Sequence, residues 1–193
     1  KIEHIEQMRL VSTVREGDLL MCRVNAPLVP VAFELIRNGI KANIVGRDIA
    51  KGLIDLVEKM DAGNIDSLFI KLNEYRANQI ARLARRKGTE MQQEMLYDRV
   101  DTIVAVADNC DTVPEIVEQL NSIFADEAEG IALSSVHRAK GLEAKRTFIL
   151  EPDLMPHPKA TESWQREQED NLIIVAYTRS KDTLFIVHPS IGG

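Results

Sequence analysis

The chain lacks most of the features that announce a function class at a glance. It has two cysteines, Cys22 and Cys110, far apart and in no CxxC pair. That excludes a disulfide framework or zinc ribbon; both are expected to be free thiols in a reducing cytosol, with a single disulfide as the less favoured alternative. His4, His137, His157 and His188 have no metal-ligand spacing among themselves or with the cysteines, so no metal site is expected. No apolar run approaches the roughly 18–20 residues a membrane helix needs, and no signal-peptide pattern opens the chain. A cytoplasmic location with no membrane partner is therefore expected. A basic surplus is missing too: the formal net charge is −6, which argues against a dedicated DNA-coating protein. There is no GxxxxGK[ST] loop and no apolar strand ending in paired Asp–Glu that could hold Mg²⁺, so a stand-alone phosphate-loop enzyme is disfavoured. No tandem repeat and no low-complexity segment occurs. The first residue is Lys1 rather than Met, and the chain is expected to be a fragment or a processed product.

What is present is the composition of an ordinary globular protein, 45% hydrophobic and 28% charged over 193 residues. "DLLMCRVN" reads as a short buried strand. The helix after it, in "APLVPVAFELIRNGI", has Asn25 as its expected N-cap, Pro27 in its first turn, and an apolar face of Phe33, Leu35 and Ile36. Asn38–Gly39 marks its end, and "IKANIVG" reads as a second strand, so strand, helix and strand predict a parallel α/β unit. From Asp48 to about Phe124 the apolar residues recur at helical spacing. "TVPEIVEQLNSIF" opens there with a capping box, Thr112 and Glu115. The α/β pattern resumes with "GIALSSV" and "RTFILEP" as strands, "DLMPHPKATESWQ" as a loop, "QEDNLIIVAYTRSK" as a helix and "DTLFIVHP" as a last strand. About five strands are predicted, with boundaries at 1–47 and 125–193 for the α/β part and 48–124 for a helical insertion.

Between two of those strands lies "HRAKGLEA", too charged for a core. Ligands of open parallel sheets sit at the carboxyl ends of strands, so residues 137–143 are expected on that edge. Gly141 permits a backbone turn or close approach. His137 and Lys140 are suited to phosphate oxygens, and Glu143 to a sugar hydroxyl. Arg179, in "VAYTRSK", carries the permanently charged, forked group suited to a γ-phosphate.

"HRAKGLEA" followed about 35 residues later by "VAYTRSK" resembles motifs V and VI of the Rep/UvrD-type helicases of superfamily 1. "LLMCRVNAPLVPVAFELIRNGIKANIVGRD" resembles the same family's strand–helix–strand "LxRxNxxxxxxExxLxxxxIxxxxxGxxxF". The order of the segments fits, and the resemblance covers the α/β portions. It implies a RecA-like parallel sheet with flanking helices, the second motor domain (2A), interrupted by a shortened 2B insertion. It also implies ATP with Mg²⁺ bound against an N-terminal motor domain of the same protein that holds the metal, and contact with single-stranded and duplex DNA. Carried over by position, His137 contacts the DNA backbone, with Ser135 and Lys140 as further DNA candidates. Gly141 and Glu143 lie near the nucleotide, and Arg179 is the catalytic γ-phosphate arginine. Departures are Arg138 for a small residue, Ala144 for phenylalanine and Ser180 for alanine; the upstream "NYRS" motif is missing. The implied function is the C-terminal motor fragment of an ATP-dependent DNA helicase, inactive alone; the alternative is a non-catalytic RecA-like interaction module.

Other readings stand beside these. His137 and Lys140 also fit a solvated turn, and Arg179 a surface pair with Glu169 or Asp182. Arg23 is structural or functional. Arg82, Arg85, Arg86 and Lys87 either grip duplex phosphates or form a solvated face. Trp164 and Tyr177 could stack on bases, although Tyr177 is expected inside the helix–sheet interface. The methionines are expected to fill the core.

Overall fold

A computed structural model describes residues 1–86, 88–157, 160 and 162–189. In chain order its main elements are β1 (Ile2–Glu6), α1 (Leu10–Thr13), β2 (Leu19–Cys22), α2 (Leu28–Arg37), β3 (Ala42–Val45) and α3 (Arg47–Met60). Then come α4 (Ile65–Leu83), α5 (Glu90–Ala107), α6 (Val113–Ile123), β4 (Phe124–Ala125), β5 (Ile131–Ser135), β6 (Ala144–Leu150), α7 (Ser163–Thr178) and β7 (Ser180–His188). The chain divides into two compact units, Lys1–Gly46 with the chain from Ala125 onward, and Arg47–Phe124.

The first unit is a RecA-like α/β sheet with strand order β1-β7-β6-β2-β5-β3-β4. The pairs β1/β7, β7/β6, β6/β2, β2/β5 and β5/β3 are all parallel. β2 sits mid-sheet, and its four residues Leu19 to Cys22 are all buried, as a strand covered on both faces requires. β1, "IEHIE", alternates exposed and half-buried positions on the sheet edge. It was not expected, nor was the two-residue β4, so among the described residues seven strands replace the five or so predicted.

Two helix boundaries also differ. α2 begins at Leu28, and Asn25 to Pro27 form a turn in which the Asn25 carbonyl accepts from Leu28 N at 2.9 Å. Ile36 turns outward from the face that buries Phe33 and Leu35. α7 begins at Ser163, earlier than the pattern indicates, where Glu162 and Gln165 form a reciprocal cap. Part of the preceding loop, Pro158, Lys159 and Thr161, lies outside the described residues.

Gly130 is required where the chain enters β5. Its φ is +86°, and a Cβ there would collide with the carbonyl of Lys41, the same oxygen that accepts from Ile131 N at 2.9 Å. Gly130→Ala should lower stability by about 1–3 kcal/mol or more, backbone strain alone accounting for that range. A urea midpoint within error of the parent would contradict it.

The second unit is helical. Asn64 and Ser67 cap α4 reciprocally. Lys71 Nζ donates to the carbonyls of Met60 (2.8 Å) and Asp61 (2.6 Å), satisfying acceptors left open at the end of α3. Arg99 Nη2 donates to Gly52 O at 2.6 Å, tying α5 to α3. At α6 the Thr112 hydroxyl accepts from Glu115 N, while Glu115 Oε2 accepts from Asp111 N at 2.7 Å, one residue ahead of the expected partner. Met21 is buried, but Met8, Met91 and Met95 are exposed, so core filling describes the methionines only in part.

Candidate functional site

The charged stretch is anchored by its small and apolar members. Val136, Ala139 and Leu142 point into a core shared with Leu19, Met21 and Ile149 of the sheet and with Leu172, Val175 and Ala176 of α7. His137, Arg138, Lys140 and Glu143 are left facing solvent. The turn is a 3₁₀ helix, Arg138–Gly141. Ala139 is fully buried, so the turn sits close against the sheet.

The stretch does not stay on one edge of the sheet. Ser135 lies level with Cys22 at the carboxyl end of β2, and Val136 N donates to Cys22 O at 2.8 Å. Thr147 lies level with Leu19, and Ala144 with Ser180 at the amino end of β7. Six residues of β6 separate the level of Ala144 from that of Leu150, about 20 Å at the usual strand rise. Residues 136–143 therefore descend from the carboxyl edge to the amino edge. His137 stands at the first, and Glu143 at the second. This corrects the expectation that all of 137–143 line the carboxyl edge: the connection carries only a 3₁₀ turn and returns to the start of the next strand by crossing the sheet directly.

Arg179 caps the C-terminus of α7 at the amino edge. Its Nε donates to Val175 O (3.1 Å), Nη1 to Lys140 O (3.0 Å) and Nη2 to the Thr178 hydroxyl (3.0 Å). That hydroxyl is oriented by its own donation to Ile174 O at 2.8 Å. Ala144 N donates to Arg179 O at 3.1 Å, closing the link between motif and helix. Three of the five guanidinium N–H groups are thus fixed by neutral oxygens. Among the described residues, Arg179 has no ion-pair partner. The surface-pair reading does not hold among the described residues: Glu169 is bound by Arg23, and Arg179 makes no ion pair with Asp182.

Glu143 is at the same edge as Arg179, half-exposed, with Lys181 Nζ 2.9 Å from Oε2. The Lys181 ammonium, aided by Arg179, holds the Glu143 carboxyl below its ordinary range. Gly141 is exposed, its φ lies outside the left-handed region, and a Cβ there would meet no atom within 4 Å. The fold itself does not demand a glycine at this position. Ser135 is buried as the last residue of β5, which sets it behind the surface His137 occupies.

Sequence reasoning missed Lys181, the Thr178 hydroxyl and the backbone carbonyl of Lys140. The signal for Lys181 was its place two residues after Arg179. It also left Arg23 undecided. Arg23 Nε and Nη2 donate to Glu169 Oε2 (3.1 Å) and Oε1 (2.7 Å), with side chains only 5% and 7% exposed. Glu169 Oε2 accepts from His157 N as well, at 2.9 Å. Arg23 is thus a buried clamp between the end of β2 and α7. Tyr177 is 45% exposed rather than inside the interface, because Ala176 takes the inward position; Trp164 is 46% exposed. Arg82, Arg85 and Arg86 are exposed, and Lys87 lies outside the described residues.

A protein-family model described as UvrD-like helicase C-terminal domain matches residues 57–190, more than half of the chain. The chain belongs to that family. This UvrD-like C-terminal domain is also similar to curated proteins. The ATP-dependent DNA helicase PcrA of Staphylococcus aureus is 38% identical over 69 residues, 33% of this chain and 10% of that protein. PcrA of Staphylococcus epidermidis matches at the same identity and coverage. The putative ATP-dependent DNA helicase YjcD of Bacillus subtilis is 28% identical over 120 residues, 55% of this chain and 16% of that protein. The UvrD-like domain therefore spans only a tenth to a sixth of the length of these relatives.

Among the described residues, no group of three or more His, Cys, Asp or Glu side chains could hold a metal ion. The residues described at the amino edge, Glu143, Arg179 and Lys181, offer a single carboxylate between two cations and do not fit a Mg²⁺ site. Among the described residues, no helix is long and apolar enough to cross a membrane.

Proposed function

We propose that this UvrD-like domain is the second motor domain of an ATP-dependent DNA helicase, with Arg47–Phe124 as a shortened 2B-like insertion. On this reading ATP is bound between the amino edge of the sheet and an N-terminal motor domain of the same protein, which also holds the Mg²⁺. Arg179 stabilises charge on the transferring γ-phosphate, and Glu143 and Gly141 lie beside the nucleotide. His137, with Lys140 and Ser135 as lesser candidates, serves single-stranded DNA.

The observation that carries the reading is the state of Arg179. It is held by three neutral acceptors, left without an ion-pair partner among the described residues, and aimed from the edge where Glu143 also sits. A fixed cation of this kind is preorganised for an anion that arrives later. The open space over Gly141 supports the same reading, since a close-lying ligand benefits from a missing side chain. The crossing of 136–143 from one sheet edge to the other supports a division of labour, DNA at His137 and nucleotide at Glu143 and Arg179. In the mechanism derived from it, a shift of this connection on γ-phosphate loss moves the DNA-side end, because both ends belong to one short, packed segment.

The test separates the two ends in the intact protein. His137→Ala is expected to raise several-fold the DNA concentration giving half-maximal stimulation of ATP hydrolysis, with KM for ATP unchanged. Arg179→Ala is expected to abolish turnover with DNA binding retained. If both variants turn over ATP as the parent does, the domain is an interaction module and the helicase reading is wrong.

A further inference from the structure

We infer that Lys181 is a second cationic contact for the terminal phosphate of the bound nucleotide, stored on Glu143 until that phosphate arrives. The inference rests on the amino-edge nucleotide site proposed above. It concerns the last residue of "VAYTRSK", to which the family resemblance assigns no role.

Lys181 is the second residue of β7, and Glu143 immediately precedes β6; Ala144 and Ser180 lie level in the two strands. Their ion pair, 2.9 Å long, is 61% exposed on the lysine and 50% on the glutamate. Such an exposed pair adds little to stability, so its exchange costs the fold little. Arg179 stands two residues before Lys181, and its charge also acts on Glu143. The edge thus carries two cations around one carboxylate. One of them, Arg179, is rigidly fixed through its three neutral acceptors, and the other sits on a flexible four-carbon stem. A terminal phosphate that approaches the fixed guanidinium brings more negative charge than the Glu143 carboxylate presents. The ammonium moves to the phosphate oxygens, and Glu143 is released to accept from a nucleotide hydroxyl. The exchange is an ion-pair swap with no bond made or broken. It makes nucleotide binding at this edge sensitive to whether the terminal phosphate is present.

The experiment uses the intact protein, with Arg179→Ala run in parallel. Lys181→Ala should raise KM for ATP about tenfold, the worth of one charge-assisted hydrogen bond. It should change kcat far less, since the ammonium binds the phosphate before the chemical step. Binding of ADP should weaken by much less than binding of ATP, and Lys181→Arg should restore most of the affinity. If Lys181→Ala leaves KM for ATP unchanged, or weakens ATP and ADP equally, the inference is overturned. Should Arg179→Ala still collapse turnover in that case, the nucleotide site itself stands; parental turnover in both variants removes the site and the inference together.

Discussion

Arg179→Ala is expected to reduce DNA-stimulated ATP turnover by the intact protein on the order of 10³-fold or more, the range over which an arginine acts on a transferring phosphoryl group. The size follows from preorganisation. Thr178, Val175 and Lys140 fix the guanidinium before any nucleotide is present, so no reorientation is needed as charge develops. Arg179→Lys should rescue little, because an ammonium cannot reproduce the forked donors that hold the guanidinium. The loss should appear in kcat with the thermal transition near the parental value. Arg179 is only half-buried and makes no buried ion pair, so a variant that unfolds instead would show that the side chain is structural. Steady-state ATPase assays with saturating DNA, beside circular dichroism, decide between the two.

The second large effect concerns stability. Arg23→Ala or Glu169→Ala alone should destabilise the domain by roughly 3–5 kcal/mol, because each leaves a charge buried and unpaired. Replacing both with apolar residues of similar size, such as Arg23→Met with Glu169→Leu, should recover most of that loss. Burial pushes the Glu169 carboxyl up, but Arg23 and the His157 N–H draw it down by more, and the net shift is below its ordinary range. A carboxyl lowered in the folded state stabilises at pH above its unfolded value, and that contribution is lost as the pH falls through the folded value. Urea midpoints should therefore drop on acidification below the usual carboxylate range, and Glu169→Gln should flatten that dependence. An unfolding free energy for Arg23→Ala within about 1 kcal/mol of the parent would contradict the buried-clamp account, since that is the ceiling for exposed pairs.

Strands buried on both faces announced themselves. β2, β5, β6 and β7 are apolar runs, and a run of that kind has few other places to go in an α/β chain. β1 did not, because its polarity does not alternate: in "IEHIE" the half-buried positions are Glu3 and Ile5, while Ile2 is exposed. The helix α7 was legible as a helix, but "LIIVAY" holds more apolar residues than its inner face accommodates. Ile174 and Tyr177 are left outside, which is why the placement of Tyr177 failed. The segments around His137 and Arg179 were readable because each packs its candidate residues within eight positions. Their meeting through the Lys140 carbonyl was not, since a backbone acceptor leaves no trace in side-chain identity. The Arg23–Glu169 clamp joins residues 146 apart in sequence, and no local pattern encodes it.

The strand order has a consequence for how the polypeptide acquires its shape during synthesis. Of the strands of this sheet, β1, β2 and β3 are emitted before the rest, yet no two of them are neighbours in it. Each waits for a partner translated later: β5 for β2 and β3, and β7 for β1. At about 5–20 residues per second, the gap between β3 and β5 leaves those apolar segments unmatched for on the order of 10 s. The interval between β3 and β5 is thus the one in which a ribosome-bound chaperone has most to shield, and β7, the last of these strands in chain order, is the piece whose arrival completes the sheet.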